Sequence, residues 1–118
     1  MDKTMQKGSC HCGAIQFEVD GTFGDLIECN CSHCQRKGYL LWFVGRDQLK
    51  LKTPESALGT YKFNKHVIDH HFCPTCGCAP FGFGKAPDGA ATAAINVRCL
   101  EGVDLTQVTR IPYDGRRA

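Results

Sequence analysis

The sequence contains no long apolar run. No stretch of about 18 apolar residues could span a membrane. The N-terminal segment MDKTMQKGSC is charged and lacks the apolar run of about 7–15 residues that a secretory signal peptide needs. We therefore expect a soluble cytoplasmic protein without a membrane partner.

The sequence also lacks the residues of several common active sites. No Ser-His-Asp arrangement, phosphate-binding loop or carboxylate pair suggests a chemistry based on them. The formal charge is +2, and the basic residues are scattered apart from Arg116 and Arg117. This charge becomes about −1 if seven cysteines bind two Zn²⁺ ions as thiolates. A basic surface of the kind that nucleic acid requires is therefore missing, and we expect no nucleic-acid partner.

No linker, repeat or low-complexity tract divides the 118 residues, so we expect a single domain over 1–118. Thirteen glycines and five prolines separate short apolar segments, which favours a mostly β fold of short strands. Ser32–Lys37 and Asp104–Val108 are candidates for a helical turn, and the second is equally compatible with an irregular segment. The candidate strands are Ala14–Val19, Asp25–Asn30, Tyr39–Gly45, Gln48–Lys52, Leu58–Phe63, His66–Phe72, Ala79–Gly84 and Thr92–Val97.

Nine cysteines form three groups and leave one isolated residue. Disulfide scaffolds are typical of secreted chains with an even cysteine count, and neither condition holds here. In a reducing compartment, thiolates this close in sequence are better explained by zinc, which takes cysteine sulfur in tetrahedral sets of four. The groups are Cys10 and Cys12, then Cys29, Cys31 and Cys34, then Cys73, Cys76 and Cys78, with Cys99 alone.

The segment Cys73-Pro-Thr-Cys76-Gly77 is typical of a zinc knuckle. Two residues separate the sulfurs, proline stiffens the turn, and the glycine permits a left-handed backbone beside the metal. A knuckle supplies two ligands. Cys10 and Cys12 are the natural second pair, because residues i and i+2 of an extended segment face the same way. We expect these four cysteines to form a closed structural site; an alternative pairing would replace one of them by Cys29 or Cys31.

Cys29, Cys31 and Cys34 supply three sulfurs from one six-residue turn without an obvious fourth ligand. An open coordination position distinguishes catalytic from structural zinc, so we interpret these three cysteines as a catalytic site. The alternative is a second closed site, with Cys78 as the favoured fourth ligand. The other candidates for that fourth position are His33, His70 and His71.

An open zinc site with three thiolates favours a soft ligand. The three negative charges make the metal a weaker Lewis acid and a poorer activator of water than a three-histidine zinc. An incoming thiol would lose its proton on binding and remain a competent nucleophile. The chemistry that follows most directly is addition of a thiol to a small carbonyl compound, or cleavage of the same carbon–sulfur bond.

The cysteine motifs and two C-terminal segments resemble a known family in order and spacing. They resemble the glutathione-dependent formaldehyde-activating (GFA) family, which shares its domain with the centromere-protein-V type, and the similarity runs over nearly the whole chain. The matching segments are Gly8-Ser-Cys-His-Cys-Gly-Ala14, Cys29-Asn-Cys-Ser-His-Cys-Gln-Arg36, His71-Phe-Cys-Pro-Thr-Cys-Gly77, Ile95–Asp104 and Tyr113-Asp-Gly115.

This resemblance implies a fold, two metal sites and an activity. The implied fold is the β-tent, a zinc-binding fold of short antiparallel sheets in the methionine sulfoxide reductase B-like superfamily. The implied activity is condensation of formaldehyde with glutathione to S-hydroxymethylglutathione, classed as a carbon–sulfur lyase reaction. The implied zinc ligands are Cys10, Cys12, Cys73 and Cys76 for a structural ion, and Cys29, Cys31 and Cys34 for a second ion.

Other side chains are candidates for substrate contacts. Arg98 and Asn96 precede Cys99, and a cation near the second zinc could hold a substrate carboxylate, although a surface or ion-paired role is the simpler interpretation of Arg98. Trp42 is a candidate for a substrate wall, although core packing is the simpler interpretation. Cys99 is best interpreted as a small buried apolar residue.

Three histidines are candidate proton donors to the oxygen of a forming adduct, although a structural role is the simpler interpretation of each. His33 lies inside the ligand turn, and His70 and His71 precede the knuckle.

Three functional hypotheses follow. The first is a zinc-dependent carbon–sulfur lyase-like protein that acts on an adduct of a thiol, such as glutathione, with a small aldehyde. The second is a non-catalytic, zinc-stabilised module that binds a protein partner. Nucleic-acid or cytoskeletal binding ranks last, because it needs a basic extension that this sequence lacks. The oligomeric state stays open, with a homodimer among the alternatives.

Overall fold

The computed structural model describes residues 5–62, 68–86 and 88–115. Within these residues the chain is mostly β, and no helix is long and apolar enough to cross a membrane. One short α-helix, α1, covers Ser32–Lys37, and three 3₁₀ turns cover Arg46–Gln48, Glu55–Ala57 and Val97–Cys99. The strands are β1 Met5–Ser9, β2 Gln16–Asp20, β3 Leu26–Cys29, β4 Leu41–Gly45, β5 Leu49–Leu51, β6 Gly59–Tyr61, β7 Asp69–Phe72, β8 Phe81–Lys85, β9 Ala91–Asn96 and β10 Arg110–Tyr113.

The described strands form two sheets that share one apolar core. The smaller sheet has the order β1-β2-β5, and the larger has the order β10-β3-β4-β9-β8-β7-β6. Phe17 of the small sheet meets Phe81 of the large sheet edge to face, with ring centroids 5.2 Å apart. Aromatic pairs of this geometry add stability beyond the burial of their surface. Cys10 and Cys73 belong to the same buried cluster, so the four-cysteine group lies at the edge of the main core.

The large sheet has a second, partly open face. Alternate residues of a strand point to opposite faces, so Trp42 and Val44 pack in the main core while Leu41 and Phe43 point away from it. Leu41 packs with Tyr39 and Ala79 in a smaller buried cluster. This second face carries α1 and therefore the middle cysteine group.

Local chemistry explains where α1 begins and ends. The Cys31 sulfur accepts a hydrogen bond from the backbone N–H of Cys34, which caps the first turn. Gly38 ends the helix in the left-handed conformation, with φ at 72°. The basic residues Arg36 and Lys37 occupy the last turn, where the helix dipole favours cations.

The sequence predicted most of these elements. Ser32–Lys37 is confirmed as a helical turn, and each of the eight predicted strands overlaps an observed one. The predicted strand ends Phe63 and His66 lie outside the described residues. Asp104–Val108 is an irregular turn in which the Asp104 carboxylate accepts hydrogen bonds from Thr106, which was the alternative for that segment.

Two strands were not predicted. β1 and β10 lack alternating apolar residues, and all four residues of β10 are exposed. β10 also pairs in parallel with β3, whereas the expected sheets were antiparallel. Pro112 is compatible with this strand because β10 lies at the edge of its sheet.

Candidate metal centres

The four-cysteine group joins the segment after β1 to the segment after β7. Cys10 and Cys12 follow β1, and Cys73 and Cys76 follow β7. Their four sulfurs lie within 4.8 Å of one another. The Cys10 and Cys12 sulfurs are 3.7 Å apart, and those of Cys12 and Cys73 are 3.6 Å apart. Zinc–sulfur bonds of about 2.3 Å in a tetrahedron place sulfurs about 3.8 Å apart, so the donor set fits a zinc ion.

Backbone donors surround these sulfurs. The N–H of Ile15 donates to the Cys10 sulfur at 3.3 Å, and the N–H of Cys76 donates to the Cys73 sulfur at 3.4 Å. Backbone hydrogen bonds from Cys78 and Cys12 lower the pKa of Cys76 to about 5. Hydrogen bonds to a sulfur favour its thiolate form, which is the form that binds metal.

The knuckle turn has the predicted backbone. Gly77 has φ at 84°, as expected for the glycine after the second cysteine. Its N–H donates to the Cys73 carbonyl at 2.8 Å and closes the turn. A side chain at this φ would be strained, so the sequence chooses glycine here for its backbone.

The three-cysteine group lies where β3 meets α1. Cys29 ends β3, Cys31 caps α1, and Cys34 lies in its first turn. The three sulfurs lie within 4.8 Å of one another. The N–H of Cys31 donates to the Cys29 sulfur at 3.5 Å, and the N–H of Cys34 donates to the Cys31 sulfur at 3.3 Å. This donor set also fits a zinc ion, and it uses three protein ligands.

The electrostatics of this group favour a bound cation. Burial raises the pKa of Cys31, but hydrogen bonds from Cys34, Cys29 and His33 together outweigh it, so the net pKa is lowered. Burial raises the pKa of Cys34 strongly, with hydrogen bonding to Cys31 and the charges of Cys29 and Cys31 adding to it. Three thiolates at this distance would repel one another, and a divalent ion would relieve that repulsion.

No fourth histidine, cysteine or carboxylate joins this group within the part of the chain that the structure describes. Cys78, the favoured fourth ligand, lies instead on the side of the four-cysteine group. Its backbone pairs with that of Cys73, and its charge is among the causes that raise the pKa of Cys99 to about 12, after burial. Cys99 packs against the main core and is partly rather than fully buried.

A cleft of about 680 Å³ adjoins the three-cysteine group, and we name it the α1 cleft. Ser32 and His33, which lie between Cys31 and Cys34, form part of its wall. Arg36 and Lys37 add two cations from the same helix. The remaining wall is largely aromatic and includes Tyr39, Tyr61, His70 and Phe72.

Two of the three imidazoles that line the cleft lie close together. The rings of His33 and His70 have centroids 4.3 Å apart. Burial lowers the pKa of both, with Lys37 adding to the effect at His33. At His70, burial and then the charges of His33 and His71 lower the pKa to about 4. Both rings are therefore neutral near pH 7, and a neutral imidazole carries one N–H that can donate.

The remaining predicted residues have structural contacts. Arg98 donates from Nε to the Gly38 carbonyl at 2.8 Å and so supports the end of α1. Asn96 is buried, donating to the Ala79 carbonyl at 3.0 Å and accepting from the Leu40 N–H at 3.3 Å.

Trp42 and His71 also have structural contacts. Trp42 is buried and packs against Phe23, which agrees with a core role. His71 is buried and within 3.1 Å of the Thr60 hydroxyl. Phe43, the next residue of β4 after Trp42, is 53% exposed because it lies on the open face of the sheet.

Sequence reasoning missed several residues around the three-cysteine group. Arg36 and Lys37 directly follow the ligand motif, and their place in the last turn of a predicted helix was a usable signal. Tyr61 reaches the cleft only through the pairing of β6 with β7, which no local pattern reveals. Gly115 packs against Cys29 through a parallel strand pairing that was equally hidden.

Comparison with known proteins agrees with this architecture. A crystal structure of a Rhodobacter sphaeroides protein, solved by structural genomics, superposes with a TM-score of 0.76 at 32% sequence identity. The alignment covers 89% of this chain and 99% of that one. The sequence also matches the family described as glutathione-dependent formaldehyde-activating enzyme over residues 5–109. The chain belongs to the glutathione-dependent formaldehyde-activating enzyme family.

Proposed function

We propose that this protein is a zinc-dependent carbon–sulfur lyase that makes or breaks an adduct of a thiol with a small aldehyde, of the S-hydroxymethylglutathione type. The observation that carries the proposal is the gathering of Cys29, Cys31 and Cys34 without a fourth ligand in the described residues, beside the α1 cleft. Family membership supports the same reaction class. We also propose that residues 1–118 form one domain and that it acts in the cytoplasm, where glutathione is reduced.

The three sulfurs define what the site would accept. A zinc ion held by Cys29, Cys31 and Cys34 would keep one coordination position open and would favour a thiolate there over a neutral oxygen ligand. The substrate is therefore a thiol, and these three cysteines are the catalytic residues of the proposal. Cys10 and Cys73, which belong to the four-cysteine group, are instead buried in the main core.

The α1 cleft supplies recognition of the thiol. Glutathione carries two carboxylates, and Arg36 and Lys37 place two cations on one side of the cleft. Phe72 and Tyr61 provide apolar surface for the rest of a peptide-like ligand. A one-carbon aldehyde needs almost none of this space, so the thiol is the larger substrate.

Histidines of the α1 cleft are the candidates for the proton transfers of this reaction. When a sulfur lone pair attacks the carbonyl carbon, the C=O π electrons move to oxygen, and that oxygen must take a proton. His33 and His70 line the cleft as neutral rings, so either is a candidate to accept the proton that the thiol loses and to pass it to that oxygen. Cleavage runs the same steps backwards, with a histidine accepting the hydroxyl proton as the carbon–sulfur bond breaks.

The replacement Cys31→Ser tests the proposal. We expect this variant to keep its fold by circular dichroism, to lose one of two zinc ions by native mass spectrometry, and to lose formation of the glutathione–formaldehyde adduct. Cys78→Ser is the matched control, because Cys78 lies outside both groups, and it should keep both metals and the activity. Wild-type turnover by Cys31→Ser would refute the assignment.

A second candidate function is a non-catalytic module that binds a protein partner. The exposed Phe43 and Ile68 lie on the same open face of the large sheet and favour this alternative. A protein that binds two zinc ions but forms no adduct, together with loss of partner binding in Phe43→Ser, would support it over the lyase.

A further inference from the structure

The C-terminal strand β10 is unusual because it buries almost nothing. All four of its residues are exposed, so apolar burial contributes little to holding it in place. Its contacts instead run along β3 towards the three-cysteine group. We propose that Arg110–Gly115 is a positioning element that holds Cys29 and Cys31 in the geometry required for metal binding. This inference rests on the metal-binding part of the proposed function and not on the lyase reaction.

The backbone pairing follows β3 along its whole length. Register pairs run from Arg110 with Leu26 to Tyr113 with Cys29. Just beyond the strand, the N–H of Asn30 donates to the Tyr113 carbonyl at 3.1 Å. The pairing thus continues past the first cysteine and into the segment between the first two.

A side-chain contact holds the same segment. The Asn30 amide donates from Nδ2 to Asp114 Oδ1 at 3.1 Å. Asn30 lies between Cys29 and Cys31. The side-chain contact and the backbone hydrogen bond therefore both restrain the residue that connects these two cysteines. On the opposite end of the strand, Arg110 pairs with Glu28 at 3.7 Å.

Gly115 covers the sulfur itself. A Cβ at this position would lie 2.5 Å from the Cys29 sulfur and 3.1 Å from the Cys31 Cβ. Real Cβ atoms do not approach that closely, so glycine is required here for space. The backbone of residue 115 therefore forms one wall of the three-cysteine group, and a larger residue requires Cys29, Cys31 or residue 115 itself to shift.

Holding the ligands in advance should strengthen metal binding. Fixing the backbone of a ligand segment costs conformational entropy, and a segment that is already ordered does not require metal binding to supply that cost. The four cysteines of the other group follow β1 and β7, and neither strand is a neighbour of β10, so loss of positioning should affect one metal only. Faster release of one zinc ion but not of the other would therefore distinguish a positioning role from general destabilisation of the fold.

The test compares Gly115→Ala with Gly24→Ala in the zinc-loaded full chain. Gly24 is the matched control, because a Cβ there meets nothing within 4 Å. Transfer of zinc to a colorimetric chelator is followed over time, and native mass spectrometry counts the ions that remain. We expect Gly115→Ala to release its first zinc at least ten times faster than wild type, with the second zinc unchanged. Gly24→Ala should behave as wild type.

Two results would overturn the proposal. One is release of both zinc ions from Gly115→Ala at the wild-type rates. The other is equal acceleration of both ions, which would indicate general destabilisation. Because the readout is metal release, a protein without lyase activity can still confirm the positioning role, and an active enzyme can still contradict it.

Asp114 supplies a second, independent variant. Asp114→Ala removes the acceptor for Asn30 and should accelerate release of the same zinc by a smaller factor. Asp114→Asn keeps an oxygen that can accept and should restore slow release. Equal release rates for the alanine and asparagine variants would remove the side-chain contact from the proposal.

Discussion

The two cysteine groups differ in ligand number and in what surrounds them. The four-cysteine group has Cys10 and Cys73 buried in the main core, and its four sulfurs fill the coordination of a tetrahedral ion. The three-cysteine group is half-buried, gathers three sulfurs in the described residues, and adjoins a cleft with two cations. Both groups offer the same sulfur chemistry. Their positions in the fold therefore separate the two proposed roles.

The largest expected effect separates stability from activity. Cys73→Ser removes a buried ligand of the four-cysteine group, and structural zinc contributes on the order of 10–16 kcal/mol in small metal-dependent peptides. We expect Cys73→Ser to unfold, whereas Cys31→Ser stays folded. Thermal unfolding followed by circular dichroism measures both. A cooperative transition at the wild-type temperature in Cys73→Ser would contradict the structural role of the four-cysteine group.

The next effect concerns the residue that links the surroundings of the two groups. Asn96 bonds to Leu40, just after α1, and to Ala79, just after the knuckle. Asn96→Ala leaves a buried N–H and a buried carbonyl without this partner, which costs about 1–3 kcal/mol each. We expect the free energy of unfolding in urea to fall by about 2–6 kcal/mol. An unchanged unfolding midpoint would show that the link does not stabilise the fold.

A smaller effect tests the cleft. Lys37→Ala removes one of the two cations and should raise the KM for glutathione about fivefold, since partly exposed ion pairs contribute about 1 kcal/mol. The matched control is Lys50→Ala, an exposed lysine on β5 of the small sheet. Equal KM values for the two variants would remove Lys37 from substrate recognition.

The smallest expected effect is a pH dependence of stability. Burial and the charges of His33 and His71 lower the pKa of His70 to about 4, below its ordinary 6.5. Between these values the unfolded chain binds a proton that the folded chain does not, so stability is lost as the pH falls from 6.5 towards 4 and is fully present above 6.5. Solvent screening keeps the effect small.

His70→Asn should therefore lose less stability than wild type between pH 7 and pH 5. Urea unfolding of both zinc-loaded proteins at the two pH values measures this, and acid effects on the thiolates are common to both. An equal loss in the two proteins would show that His70 does not titrate as described.

Local patterns revealed part of this structure and missed the rest for a physical reason. The cysteine spacing, the left-handed Gly77 and the helical turn Ser32–Lys37 depend on neighbouring residues, so the sequence carries their signal. Tyr61 in the cleft and Gly115 beside Cys29 depend on strand pairings between distant segments. β10 was invisible because an exposed edge strand needs no alternating apolar pattern.

The central claim is that the three-cysteine group has an open position for a thiol, and cobalt substitution tests it most directly. Protein loaded with two Co²⁺ ions is titrated with glutathione while the visible and near-ultraviolet absorption is recorded. If the position is open, glutathione should cause a saturable change in the sulfur-to-cobalt charge-transfer and d–d bands. Cys31→Ser should hold one ion only and should not show this change. A wild-type spectrum that glutathione leaves unchanged would contradict the account and favour two closed, structural sites.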